Sequence, residues 1–240
     1  MIRTYVVGAC GRMGELVCQA VEDDPEFEIC GRFDIDNIED LDTEAPSADL
    51  VIDFSKPASL PHVAAFVRRT GAALVSGTTG FTAEELATFD ELGKTTRVVW
   101  ASNYSLGVAV LVRAVREAAA VVGNWDTEIV ETHHNKKADA PSGTAKTLLS
   151  AVDPDGEYTV VSGREGIVGE RPEKEIGLVS LRGGTVAGTH EVHFFGEDEE
   201  LCFTHRATSR KIFVAGAVAC AHKLLASEVG RHTFEELMLD

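Results

Sequence analysis

Residues 3–14 read Arg-Thr-Tyr-Val-Val-Gly-Ala-Cys-Gly-Arg-Met-Gly. A short apolar run, Arg3 to Val7, gives way to glycines spaced G-x-x-G-x-x-G at Gly8, Gly11 and Gly14. A strand that feeds a glycine turn and then a helix is the setting of a dinucleotide fingerprint. Glycines let the backbone approach a pyrophosphate, and the helix start offers N–H donors and the positive end of its dipole. The spacing is one residue longer than the commonest form, so the turn alone also fits an ordinary strand-to-helix connection. Asp34 adds weight. It ends the second strand, twenty residues after Gly14, where an acid accepts hydrogen bonds from the adenosine ribose hydroxyls.

Outward from this turn, strands and helices alternate. The first helix runs to about Asp24, where Pro25 stops it. Strands follow at Glu28 to Asp34, Leu50 to Phe54, Ala73 to Ser76 and Val98 to Ala101. Helices are expected from Leu60 to Arg69, ended by Gly71, and from a capping-box pattern at Thr82 and Glu85 through Leu92. Such alternation predicts a Rossmann-like, doubly wound parallel sheet and an α/β fold class. Residues 34–49 hold seven acids and one Pro and read as a solvated loop without a helix. C-terminal strand ends are where these sheets bind ligands, so Gly77-Thr78-Thr79-Gly80 and Ala101-Ser102-Asn103 are further candidates for lining a cofactor.

The second half changes character. Leu106 to Val122 has the spacing of an amphipathic helix, and strand-like runs follow at 127–132, 158–162, 176–181, 186–195 and 201–208. Arg182-Gly-Gly-Thr185 and Gly196-Glu-Asp-Glu199 look like hairpin turns joining neighbouring strands, which predicts a second α+β domain with a mixed, largely antiparallel sheet. Ile212 to Ala226 is a strongly apolar helix that should pack back on one of the sheets.

Composition narrows the function. The 240-residue chain carries 22 Lys plus Arg against 39 Asp plus Glu, a formal charge of -17. Nucleic acid is a poor partner for such a chain, because phosphates must be met by Lys and Arg. No apolar run reaches the roughly 18 residues of a membrane span, so no membrane partner is expected. Five cysteines, an odd number without a C-x-x-C pair or a secretory leader pattern, point to reduced thiols and a cytoplasmic location.

Against this acidic background, Glu128-Ile-Val-Glu-Thr-His-His-Asn-Lys-Lys-Ala-Asp-Ala-Pro-Ser-Gly-Thr-Ala145 concentrates His133, His134, Lys136 and Lys137 in one loop. Ser142 then reads as the N-cap of a helix whose first N–H groups, near Gly143 and Thr144, can receive a carboxylate or phosphate. Cations beside a helix N-terminus argue for a small anionic substrate. Adjacent histidines with no third His or Cys nearby are not a zinc set, so no metal is expected.

The stretch EIVETHHNKKADAPSGTA resembles the signature of the dihydrodipicolinate reductase family, now called 4-hydroxy-tetrahydrodipicolinate reductases. VVGACGRMG, VIDFSKP, SGTTGF, ASNYSLGV, SGREG and ATSRKIFVAGAV fit the same family, so the resemblance spans nearly the whole chain. It implies NAD(P)H-dependent reduction of a cyclic dicarboxylate in lysine and diaminopimelate biosynthesis. It implies a catalytic pair, His133 and Lys137, with Lys137 as proton donor. His134, Lys137, Gly143 and Thr144 would bind the substrate carboxylates. Gly8, Gly11, Arg12, Met13, Asp34, Gly77, Thr79, Ala101 and Asn103 would bind cofactor, and Arg210 matches a family arginine near the domain junction. It further implies a dinucleotide-binding domain of 1–104 completed by 210–240, and a substrate-binding domain of 105–209 that builds a homotetramer.

Two departures matter. The acidic loop after Asp34 is short, and Ile35 stands where NADPH-favouring members often carry an Arg. Asp34 and Asp36 would repel a 2′-phosphate, with Arg32 and Lys56 the nearest basic candidates to offset them. NADH is therefore expected to serve at least as well as NADPH. The competing readings are another Rossmann-type dehydrogenase and a non-catalytic nucleotide sensor. The former, if of semialdehyde type, needs a nucleophilic Cys near the basic loop, and the latter has no use for a His-His-Lys loop.

Overall fold

The computed structural model describes residues 1–43 and 45–240, and the chain forms two compact units. The first comprises Met1–Ser105 with Lys211–Asp240, the second Leu106–Arg210. The first unit opens with β1 (Ile2–Val7), α1 (Arg12–Glu22), β2 (Phe27–Phe33), α2 (Asp40–Thr43), β3 (Leu50–Asp53), α3 (Leu60–Thr70), β4 (Ala73–Ser76), α4 (Ala83–Gly93) and β5 (Arg97–Trp100). A short 3-10 turn at Pro57–Ser59 leads into α3. The second unit contains α5 (Leu106–Val122), β6 (Asp126–His133), α6 (Gly143–Val152), β7 (Thr159–Val161), β8 (Glu175–Arg182), β9 (Gly188–Phe195) and β10 (Glu200–Ala207). The chain then returns to the first unit with α7 (Lys211–Ala226), β11 (Gly230–His232) and α8 (Phe234–Leu239).

The first sheet has the order β11-β5-β4-β3-β1-β2, and every pairing is parallel. Its central strands β3 and β4 are buried at every residue, as a sheet covered on both faces requires. Tyr5, Val51, Phe66, Leu74, Phe89 and Val98 belong to the core on one side. On the other, α7 packs against α1, β4 and β5, with Val214, Ala217, Cys220, Ala221 and Leu224 buried. The box at Thr82 and Glu85 is formed: Thr82 Oγ1 accepts from Glu85 N at 3.2 Å, and the Glu85 carboxylate accepts from Thr82 N at 2.7 Å.

Two features of this unit differ from the sequence reading. The acidic segment contains the short helix α2, which Leu41 holds by burying its side chain in the core and which Arg69 caps by donating to Leu41 O at 2.8 Å. One apolar anchor and a distant arginine suffice, and neither shows in local composition. The other is β11, a three-residue edge strand beside β5 that follows the apolar helix.

The second sheet runs β10-β9-β6-β8-β7. It is mixed, with two antiparallel pairings (β9–β10 and β6–β9) and two parallel ones (β6–β8 and β7–β8). The turn at 196–199 closes a hairpin, with Gly196 N donating to Glu199 O at 2.9 Å. The turn at 182–185 does not join neighbours, because β6 lies between β8 and β9. That turn arches over the end of β6: Gly183 N donates to His133 O at 2.9 Å, and Asn135 N donates to Gly184 O at 3.2 Å. A Gly-Gly reversal thus seats the loop that follows β6. Ile129, Ile176, Leu178, Val192 and Phe194 on one sheet face pack with Val108, Leu111, Val112 and Val115 of α5 and with Leu148 of α6.

Candidate active site

In the first unit, Gly8 and Gly14 make the turn possible. Gly8 has a φ of 78°, and a Cβ there would lie 2.5 Å from Phe54 O. A Cβ on Gly14 would lie 1.9 Å from Gly8 O, so the first turn of α1 rests directly on the loop backbone. Gly11 is the N-cap of α1 and offers no side-chain cap, which leaves the helix start open to an outside acceptor. Arg12 is exposed and Met13 half-buried on that first turn. Asp34 stands beside it, accepting from Ile35 N at 2.8 Å and Cys10 N at 2.9 Å. These two backbone donors hold its carboxyl below the usual aspartate range. A carboxylate fixed at a glycine turn, with a helix N-terminus uncapped and no room for a Cβ, fits a dinucleotide.

Arg32 is engaged elsewhere, in an ion pair with Glu22. Lys56 remains near Asp34, close enough for its charge to help lower the Asp34 pKa.

The loops after β3 and β4 are tied together by a residue whose role sequence reading missed. Asp53 is buried and accepts from the hydroxyls of Ser55 at 2.5 Å, Ser76 at 2.8 Å and Thr78 at 2.9 Å. Burial pushes its carboxyl pKa up, and the hydroxyl bonds oppose that shift. Gly77 N donates to Asp53 O at 2.8 Å, and Trp100 Nε1 donates to Thr78 O at 2.8 Å. The 77–80 turn is thereby held rigid, with Thr79 exposed on it. Ala101 N donates to Ser76 O at 3.1 Å, and Asn103 Oδ1 accepts from Ser105 N at 2.8 Å, which places both at the ends of β4 and β5.

In the second unit, the alternation of β6 buries Thr127, Ile129, Glu131 and His133 on one side. His133 Nδ1 lies 2.5 Å from Glu131 Oε2. Glu131 is fully buried and receives both terminal nitrogens of Arg182, at 2.9 and 2.8 Å. Burial raises the Glu131 pKa, but Arg182, His133 and Ser180 overcome it and hold it at about 2. Ser142 N donates to Glu131 Oε1 at 3.2 Å, and Ser142 Oγ caps α6 by accepting from Ala145 N at 3.2 Å. The same hydroxyl lies 3.0 Å from His190 Nε2. His190 is buried, and that burial, aided by the nearby His133, lowers its pKa to about 4, so it is neutral.

Lys137 is half-buried at the loop and donates to Asp139 Oδ1 at 2.8 Å, which lowers the Asp139 pKa. Arg182 also donates to Asp139 O at 2.8 Å, linking the lysine turn to the buried carboxylate. His134 Nε2 lies 3.2 Å from Arg210 Nη2. Gly143 is exposed and Thr144 buried at the start of α6, while Lys136 points to solvent. The structure thus joins His133, Ser142 and the α6 start through Glu131, Arg182 and His190, three residues that sequence reading did not single out. Their alternating spacing on β6 and β9, for Glu131 and His190, was the available signal; Arg182 ends β8. Among the described residues, one group offers metal-ligand atoms within 4.8 Å of one another: His193, Glu200 and Cys202 on β9 and β10. Glu200 already engages His193 Nδ1 at 2.6 Å.

A glycine-turn nucleotide fold and a cationic, helix-capped loop for a small anion define a nicotinamide-dependent oxidoreductase. Residues 2–104 match the family model "Dihydrodipicolinate reductase, N-terminus", and residues 107–238 match "Dihydrodipicolinate reductase, C-terminus". The chain belongs to the dihydrodipicolinate reductase family. It is 42% identical over 243 residues to the 4-hydroxy-tetrahydrodipicolinate reductase of Akkermansia muciniphila, covering 99% of this chain and 98% of that one. It is 39% identical to the enzyme of that name from Lawsonia intracellularis, covering 94% and 95%. Its fold is similar to a dipicolinate-bound dihydrodipicolinate reductase from Paenisporosarcina sp. TG-14, with a TM-score of 0.77 at 21% identity over 98% of this chain and 99% of that one.

Proposed function

We infer that this chain is a 4-hydroxy-tetrahydrodipicolinate reductase, delivering hydride from a reduced nicotinamide to the conjugated cyclic imine formed when the hydroxylated ring loses water. The observation that carries the substrate side is the β6–α6 loop, where His133 and the α6 start share one buried carboxylate. The dihydronicotinamide, when bound, supplies the hydride. Lys137 neutralises a substrate carboxylate and donates the proton that quenches charge developing toward the ring nitrogen, a contribution of about 10²–10⁴-fold. His133 serves as its catalytic partner. His134, Gly143 and Thr144 hold the carboxylates, each charge-assisted hydrogen bond being worth roughly 1.5–3 kcal/mol.

The unit of Met1–Ser105 and Lys211–Asp240 is the dinucleotide-binding domain. Gly8, Gly11, Arg12 and Met13 receive the pyrophosphate, Asp34 holds the adenosine ribose, and Gly77, Thr79, Ala101 and Asn103 line the nicotinamide. NADH is used at least as well as NADPH. The enzyme is cytoplasmic and homotetrameric, joined through the second-unit sheet. Support for that assembly is the face opposite the α5–α6 core. There Leu181 and Phe195 pair with Thr132 and Asp126 of β6, opposite in sense to the buried Ile129, and both are exposed.

The test is to incubate the protein with enzymatically generated substrate and each reduced cofactor, following the near-ultraviolet absorbance of the dihydronicotinamide. Substrate-dependent loss of that absorbance supports the reading; cofactor binding without oxidation by this substrate refutes it. Sedimentation showing a stable monomer at micromolar concentration refutes the tetramer.

A further inference from the structure

Hydrogen bonds engage both oxygens of Glu131, and Ser180 adds a further one that helps hold it ionised. Oε2 meets His133 Nδ1 and Arg182 Nη1; Oε1 meets Arg182 Nη2 and Ser142 N. We propose that Glu131 is a positioning residue that fixes the tautomer of His133 and the start of α6 together, with Arg182 as its dedicated counter-ion. This rests on the reading above that His133 and the α6 N-terminus face the dicarboxylate.

The argument is one of donors and acceptors. Arg182 cannot deprotonate and holds the carboxylate ionised, and an ionised carboxylate only accepts. Nδ1 of His133 must therefore carry a proton in its contact with Glu131. Nε2 is left as the working atom. It has space to work, because position 188 is glycine: a Cβ there would lie 3.1 Å from Nε2. Arg182 has a second consequence. An unpaired buried anion would be costly and would cancel the positive charge that a dianionic substrate needs. Paired with Arg182, Glu131 orders the site while leaving the charge of the lysine loop intact. The third contact, from Ser142 N, ties the residue that caps α6 to the same anion. The imidazole and the helix start therefore cannot move independently.

Glu131→Gln separates this role from packing. The amide oxygen satisfies the two donors on the Oε1 side, Arg182 Nη2 and Ser142 N. Its NH₂ then faces His133 and Arg182 Nη1 together: it donates to Nδ1, which forces the proton to Nε2, and it loses the Arg182 Nη1 bond. The expected result is a kcat reduced about 10²-fold or more, with the KM for the dicarboxylate and the affinity for reduced cofactor within a few-fold of wild type. ¹⁵N spectra of the His133 ring should show Nδ1–H in the wild type and Nε2–H in the variant. A Glu131→Gln enzyme retaining more than about a third of wild-type kcat overturns the proposal. So does a wild-type spectrum at neutral pH with Nδ1 unprotonated, and that arm needs only the native protein should the variant not fold. A wild type that keeps Nδ1–H yet never turns over the dicarboxylate refutes the substrate assignment and supports the positioning role.

Discussion

Replacing Ile35 by Arg should move cofactor choice toward NADPH. Ile35 is 75% exposed, and its N–H is donated to Asp34 Oδ1 at 2.8 Å. Its side chain therefore leaves the backbone one residue from the acid that would hold the ribose. In the native chain a 2′-phosphate with nearly two charges meets an ionised Asp34. At a separation of about 6 Å in water, the repulsion is roughly 1.4 kcal/mol, less after salt screening. Arg32 could relieve it only by giving up its pair with Glu22. An Arg–phosphate contact is worth about 1.5–3 kcal/mol, and the exposure of position 35 argues for the lower end. The variant should thus shift the NADPH/NADH ratio of kcat/KM by about 10-fold. The assay is kcat/KM for both cofactors at fixed ionic strength, repeated at high salt, where the shift should shrink. A ratio changed by less than about 3-fold would mean that Ile35 does not face the ribose. A native NADPH preference removed by Lys56→Gln would locate the phosphate site at Lys56 instead.

Three other outcomes follow from particular contacts. Lys137→Ala should bind reduced cofactor normally but lose about 10²–10⁴-fold in kcat, the contribution of a general acid, as steady-state kinetics and cofactor fluorescence titration will show. Gly14→Ala places a Cβ 1.9 Å from Gly8 O, so cofactor affinity measured by calorimetry should collapse while substrate-analogue binding survives. Stability should fall in two acid steps in urea titrations. His190 has its folded pKa lowered from 6.5 to about 4, so the unfolded chain takes up protons first and stability drops as pH falls from about 6.5 to 4. Glu131, lowered from 4.5 to about 2, contributes stability present above its unfolded pKa and lost as pH falls toward 2. His190→Leu should shrink the first step, to which His205, lowered likewise by burial, also contributes, and a first step unchanged in that variant would refute the assignment.

What the sequence disclosed and what it withheld divide along a physical line. Gly8 to Gly14, the Thr82–Glu85 box and the Ser142 cap are local: each depends on residues within one turn of one another, and spacing alone reveals them. The Glu131–Arg182 pair depends on β6 and β8 lying side by side, although 51 residues separate the two side chains. The Arg182–Thr185 reversal looks like a hairpin because turn chemistry reports the change of direction. It does not report that another strand occupies the space between. Asp53 stood inside a recognised motif, yet its function as the knot between the β3 and β4 loops needs Ser76 and Thr78 brought alongside. Arg32 illustrates the reverse case. Sequence placed it on the right strand, but Glu22 on the neighbouring helix had the prior claim.

Two ion pairs in the β6–α6 region bear on how a chain of charge -17 would receive the proposed dianion. Arg182 is bound to a carboxylate with no exposed side-chain surface, through a bidentate fork, and exchanging that partner would strand a buried charge. Lys137 is bound to Asp139 through one contact, and the Asp139 side chain is 61% exposed. Exposed single-contact pairs are worth about 0–1 kcal/mol, and water can take over the released carboxylate. A substrate carboxylate can therefore displace Asp139 from Lys137 at small cost, whereas it cannot displace Glu131 from Arg182. On the proposed assignment, Lys137 is the cation free to exchange partners and Arg182 the one committed to Glu131. The distinction is made by burial of the acidic partner, since both cations come from the same basic neighbourhood.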